Sequence, residues 1–230
     1  MVDEITGAQF NEAIGVDLEY YGDEGVTVIA LIQISSATKD YIVDALRPSV
    51  RESAKHLLGE LLFENERIVK VFHGCDSDLQ LLATDLDIFV RNVFDTGRAY
   101  TALTRLSKLK LMPSLELIIR KFLRKELTKM HRVAEWRIRP LPESMLDYAR
   151  CDSHYLIRLF AILEKLLSGD TDVFVGEEIE AEGWMEELRR LSETHVGTKG
   201  LDLITEHAKK TNEFSVEKIM KSNYRKARIT

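Results

Sequence analysis

The chain has 230 residues, 45% of them hydrophobic, and a formal net charge of −6. That length can bury one full core plus a smaller helical appendage, and the composition excludes a disordered chain. No apolar run approaches the roughly 18 residues of a membrane span, and the start lacks a charged region followed by a hydrophobic stretch, so neither secretion nor membrane anchoring is expected.

Alternating or apolar runs over Ala13–Tyr20, Val26–Ile34 and Asp40–Val43 predict three consecutive strands. Turn signals at Tyr21–Gly25 and Ser35–Lys39 make them an antiparallel meander. Ser49–Phe63 has helical period, IVKVF from Ile68 reads as a buried strand, and Ser77–Leu86 as the next helix. The brief strand NVF leads into short helices at Thr96–Leu103 and Pro113–Leu123. Lys125–Leu141, which holds WRIRP, has no sustained period and reads as an ordered loop. Pro142 then suits the first turn of a long helix running to about Leu167. This alternation predicts an α/β sandwich with a mixed sheet.

Between Arg98 and Arg139 the chain is crowded with Lys and Arg, an unusual segment in an acidic protein and one suited to holding a polyanion. Within it Lys129, Arg132, Arg137 and Arg139 are candidates for phosphate contact, while Arg137 and Arg139 are equally placed to tie the WRIRP loop to the core. After Ser168 the composition turns acidic without Lys or Arg as far as Glu187, and the end from Lys209 to Arg228 is basic again. The expected organisation is a domain over residues 1–168, an acidic linker over 169–183 and a short helical extension over 184–230, with a helix at Gly183–His195.

Cys75 and Cys151 form neither a disulfide framework nor a zinc spacing. The informative residues are acidic. A D-x-E pair usually marks a strand end or a solvated edge, but Asp17 and Glu19 interrupt the run Ala13–Val16 and precede VTVIALIQI. On a strand both point to one face, and inside a sheet such charges are costly unless a cation compensates them. Tyr148 and Asp152, four residues apart in a helical stretch, also share a face. With Asp78 in VFHGCDSDLQLL, three separate elements bring hard oxygen ligands toward one point, a donor set for Mg2+ or Mn2+ and for phosphate chemistry. His73, at the end of a buried strand, reads as structural. Asp76 and Asp147 are turned off the shared faces by their phase, and Asp95 reads as a helix cap.

DLEY at Asp17–Tyr20, LIQIS at Leu31–Ser35, VFHGCDSDLQLL from Val71, NVFDT at Asn92–Thr96 and EWRIRPLPESMLDYARCDSHYL from Glu135 occur in that order across residues 13 to 168. Together they resemble the ribonuclease D family of DEDD-type 3′→5′ exonucleases, in its DEDDy branch, and within it the exoribonucleases attached to the eukaryotic nuclear RNA exosome. The resemblance implies a ribonuclease H-like mixed sheet flanked by helices, with two divalent ions, Mg2+ or Mn2+, about 4 Å apart. It implies that Asp17 bridges both ions, that Glu19 and Asp152 complete the shell on the nucleophile side, and that Asp78 holds the second ion directly or through water. Tyr148, as a phenol mostly protonated at neutral pH, then orients the attacking water, and 5′-nucleoside monophosphates leave.

By the same resemblance Leu18, Tyr20 and the Asp78 helix face the terminal nucleotide. The implied partners are RNA with a free 3′ end and the exosome core or its cofactors, and the implied compartment is the nucleus. Two positions depart from the nuclear relatives: Tyr20 stands where His is common, and Leu81 where a Trp follows the Asp78 equivalent by one turn. The extension is also short for a complete HRDC domain. The expected function is a metal-dependent 3′→5′ exoribonuclease in RNA processing and decay. A DNA 3′-5′ exonuclease shares the carboxylates but does not usually show WRIRPLPESM before the tyrosine. A catalytically silent RNA-binding scaffold has no physical reason to keep the clustered charges.

Overall fold

A computed structural model describes residues 13–23, 25–104, 112–127 and 134–168. The linker, the helix expected at Gly183–His195 and the basic end lie outside the described residues, as do Lys129 and Arg132.

Strand alternation puts Ile14, Val16 and Leu18 on one face of β1 (Ala13–Asp23) and Gly15, Asp17 and Glu19 on the other. β1 pairs antiparallel with β2 (Val26–Ser35), which pairs antiparallel with β3 (Asp40–Asp44), the meander that the alternation predicts. β4 (Val69–Phe72) and β5 (Val93–Asp95) add in parallel on the other side, giving a mixed sheet of order β3-β2-β1-β4-β5. The strand carrying the D-x-E pair is therefore central. Its register slips beside that pair, where Glu19 faces Leu31 but Tyr20 faces Ile29. Ala30 is the extra residue, and it turns to the same face as Leu31. Bulges of this kind re-aim side chains next to functional clefts.

α1 (Pro48–Ala54) continues as a wider, π-type helix over Lys55–Phe63. With α2 (Asp76–Asp85) it covers the Ile14–Val16–Leu18 face, burying Leu58, Leu62, Phe63, Leu79 and Leu82. The opposite face carries two clusters. α3 (Thr96–Thr104), α4 (Leu115–Leu123) and α6 (Leu156–Leu167) pack on Val71 and Phe94. α5 (Glu143–His154) and Trp136 close over Ala30 and Leu31. At about 1.5–3 kcal/mol for each fully buried aliphatic side chain, these layers hold β1 rigidly enough to carry charged residues at its centre.

The single helix expected from Pro142 to about Leu167 is two helices. Pro142 is the N-cap of α5, and the chain breaks at Tyr155 before α6 begins. The apolar period runs on through the joint, so the cause is tertiary. Ser153 Oγ bonds Ser35 Oγ at 2.7 Å, and a Cβ on Gly15 would stand 2.3 Å from the Ser153 carbonyl oxygen. Glycine at position 15 lets the end of α5 press onto β1. α4 starts at Leu115, two residues later than expected, because the Ser114 hydroxyl accepts from the Leu117 N–H and caps it.

Candidate active site

The parallel ladder to β4 covers Ala13–Gly15 of β1, so Asp17–Tyr20 run past it and border an opening. That opening is a cleft of about 740 Å³ lined by Asp17, Leu18, Glu19, Tyr20, Asp78, Tyr148 and Asp152. Met112–Glu116 and Trp136 line it as well. Leu18 is 4% exposed and serves both the core and the cleft wall, whereas the Tyr20 ring is 45% exposed. Leu81, on α2, is partly buried and packs against the core.

Carboxylate oxygens of Asp17, Glu19 and Asp152 lie within 4.8 Å of one another. Two come from alternate positions of β1, and the third from α5, which crosses the same face of the sheet. Asp78 is buried in the first turn of α2 and stands outside this triplet. Its charge nonetheless raises the pKa of both Asp17 and Glu19, which makes it a fourth member of the same electrostatic cluster.

Burial, followed by repulsion from Asp78, Asp152 and Glu19, holds the Asp17 carboxyl well above the usual range. Burial, then Asp152 and Asp78, pushes Glu19 up to about 8. Asp78 rises to about 7 through burial and then Asp95 and Asp76. Asp152 rises to about 7 through burial, against which a hydrogen bond from the Tyr148 hydroxyl acts. Four acids so placed do not all ionise together near neutral pH without positive charge among them. The donors fit a hard divalent cation: every one is oxygen, three can reach a common point, and their crowding is of the kind a cation relieves.

The turn that delivers Asp78 is held by Asp95. Its carboxylate accepts from the backbone N–H of Gly74 at 3.1 Å and of Cys75 at 3.0 Å, and also from Gly97 and Arg98 at the start of α3. Gly74 sits at φ 72°, a left-handed conformation that suits glycine. Arg98 then bridges Asp95 and Asp76, donating to Asp76 in two bonds of 2.7 Å. Asp95 is thus a cap, and Asp76 faces away from the triplet, as does Asp147, which pairs with Arg150. His73 lines the cleft but uses both ring nitrogens within the fold, on Thr96 Oγ1 and the Pro113 carbonyl.

Sequence reasoning missed Trp136. Its indole is 2% exposed and lies against the Tyr148 ring, centroids 6.2 Å apart. The available signal was the single Trp of the loop just before the tyrosine helix. Arg139 fastens this loop. It donates to both oxygens of Asp44 at 2.9 and 2.6 Å and to the carbonyls of Trp136, Ile138 and the bulged Ala30. Of the two roles open to Arg139, its geometry is that of the tie. Arg137 makes two 2.7 Å bonds to Glu135 and lies 5.1 Å from the Tyr21 ring centroid, closer to the surface.

A model of the 3′-5′ exonuclease family matches residues 2–168. The chain belongs to this family. It is 41% identical over 150 residues to the exosome complex component 10 of Rattus norvegicus, an alignment covering 65% of this chain and 16% of the relative. It is 38% identical over 162 residues to the exosome complex exonuclease RRP6 of Saccharomyces cerevisiae, covering 67% and 20%. The chain therefore spans a fifth or less of the length of these relatives. Among solved structures, the catalytic core of RRP6 from Trypanosoma brucei superposes with a TM-score of 0.63 at 31% identity, over 83% of this chain and 49% of that one. The mixed five-stranded sheet with flanking helices is the exonuclease fold that the motifs led one to expect. Among the described residues no helix is long and apolar enough to cross a membrane.

Proposed function

We propose that this chain is a 3′-5′ exoribonuclease that releases 5′-nucleoside monophosphates with the help of two divalent cations, Mg2+ or Mn2+. The observation that carries this reading is the triplet Asp17, Glu19 and Asp152, oxygens within 4.8 Å, in one cleft with Asp78 and Tyr148. The triplet would hold one cation, and Asp17 with Asp78 the other. Bound there, the cations would lower the pKa of water and offset charge developing on phosphorus and on the leaving 3′ oxygen.

The remaining tasks fall to the chain itself. The Tyr148 hydroxyl, hydrogen-bonded to Asp152 and backed by Trp136, orients the attacking water in line with the last phosphodiester. Leu18 and Tyr20 bear on the terminal nucleoside, with Tyr20 offering an exposed aromatic face for stacking. Lys129, Arg132 and Arg137 serve the phosphates upstream, and Arg139 acts mainly through the loop. Residues 1–168 are assigned to the catalytic domain and the acidic segment 169–183 to a linker after it, with 184–230 as a C-terminal extension. The names of the relatives support the exosome core or its cofactors as partner, while RNA as substrate and the nucleus as compartment follow from the resemblance of the motifs.

The test uses end-labelled RNA and DNA of one sequence, incubated with Mg2+, Mn2+ or EDTA, for the wild type and for Asp17→Asn. A ladder that shortens RNA from its 3′ end, and that disappears with EDTA and in the variant, is the expected result. Shortening of DNA alone would replace RNA by DNA as the substrate, and binding without cleavage would favour a scaffold.

A further inference from the structure

Gln33 stands beside the acidic triplet with its amide unused. It lies on β2 directly opposite Asp17 in the antiparallel register, so the two side chains leave the same face of the sheet with Cβ atoms roughly 5 Å apart. The residue is fully buried. Along its own strand the same face carries Leu31, in the Trp136 cluster, and Ser35, whose hydroxyl is bonded to Ser153. Across the other edge its partner is Ile42. Neither Nε2 nor Oε1 has a hydrogen-bond partner among the described residues.

A side-chain amide offers two donors and a carbonyl acceptor, and buried polar atoms in folded proteins are nearly always bonded. An idle amide at this position makes sense if the bond it makes belongs to another state of the cleft. The polar side chain that the register sets beside it is Asp17. A carboxylate committed to a cation presents its remaining lone pairs to whatever donor adjoins it, and such outer donors fix the orientation of metal-binding groups.

We propose that Gln33 is a positioning residue for divalent-cation binding: its Nε2 donates to the Asp17 carboxylate in the cation-bound protein and fixes the orientation in which that carboxylate faces the cleft. This rests on the reading that the cleft takes divalent cations. In the cation-free protein the amide contributes nothing to the fold. The two states therefore make opposite demands on position 33, and an apolar side chain of the same length separates them.

The experiment compares thermal unfolding of the full wild-type chain and of Gln33→Met, first in EDTA and then along a Mn2+ titration. In EDTA the variant should melt at the wild-type temperature or up to about 4 °C above it. The Mn2+ concentration giving half of the maximal stabilisation should rise about 10- to 100-fold, while KM for RNA at saturating Mn2+ stays within about twofold. An unchanged Mn2+ midpoint beside a responsive wild type overturns the role of Gln33. So does a variant melting more than about 5 °C below the wild type in EDTA, because the amide would then be bonded without the cation. A wild type whose melting ignores Mn2+ would remove the cation reading itself, and this proposal with it.

Discussion

Burial holds Asp17, Glu19, Asp78 and Asp152 above their ordinary pKa values, and repulsion from neighbouring carboxylates adds to it at Asp17, Glu19 and Asp78, so the cation-free folded protein carries protons that the unfolded chain does not. Free carboxylates of these types titrate near 4, against about 8 for Glu19 and about 7 for Asp78 and Asp152. The folded state binds the extra protons in that interval, so stability from this cluster is greatest below about pH 4 and is lost as pH rises through 7 and 8. In EDTA the melting temperature should fall between pH 6 and pH 8.5. It should fall less in Glu19→Gln, and less in wild type with Mn2+, which competes better with protons as pH rises. Equal slopes in all three would mean that the acids do not act as a unit. Tyr148 makes a separate prediction: Tyr148→Phe should lower kcat about 10- to 100-fold, the kinetic equivalent of one hydrogen bond to a charged group, with RNA affinity unchanged. Full activity in that variant would take the hydroxyl out of the mechanism.

Among the elements, two contacts decide where these residues stand. Gly15 admits the Ser153 carbonyl, next to Asp152, to the surface of β1. Gly15→Ala should push the end of α5 outward, destabilise the fold by about 1–3 kcal/mol, and lower cleavage by more than the melting shift explains. Near-normal kcat in a folded Gly15→Ala protein would show that Asp152 does not depend on that contact. The second contact is the Arg139–Asp44 pair, which holds Trp136 against Tyr148. Arg139→Ala should destabilise by about 1.5–3 kcal/mol and depress kcat while leaving the salt dependence of RNA binding alone. A salt slope smaller by about one unit would instead make Arg139 a phosphate contact. These contacts are also where the sequence was hardest to read. The D-x-E pair and the Tyr148–Asp152 spacing are visible because period two and period 3.6 act locally. The break at Tyr155 and the Trp136 support arise from segments distant in sequence pressing on one another, Ser35 on Ser153 and Asp44 on Arg139, and no local pattern encodes them, nor the bulge at Ala30.

At the scale of the molecule, the order of strands does the assembling. A meander followed by two parallel strands places β1 at the centre, ends β4 short of Asp17, and sets the first turn of α2 beside the gap. The alternation of strand and helix foretold this layered plan, because β-α-β patterning restricts how a sheet can be covered. The convergence of β1, α2 and α5 on one cleft could be proposed from the motifs, but distances needed the fold. Only there does it emerge that three acids form a tight triplet while Asp78 stands apart. The most direct measurement is anomalous diffraction from crystals of the protein soaked in Mn2+. The expected result is Mn2+ bonded to oxygens of Asp17, Glu19 and Asp152, and its absence from that place in Asp17→Asn crystals. Mn2+ bound elsewhere, together with RNA cleavage that persists in EDTA, would contradict it.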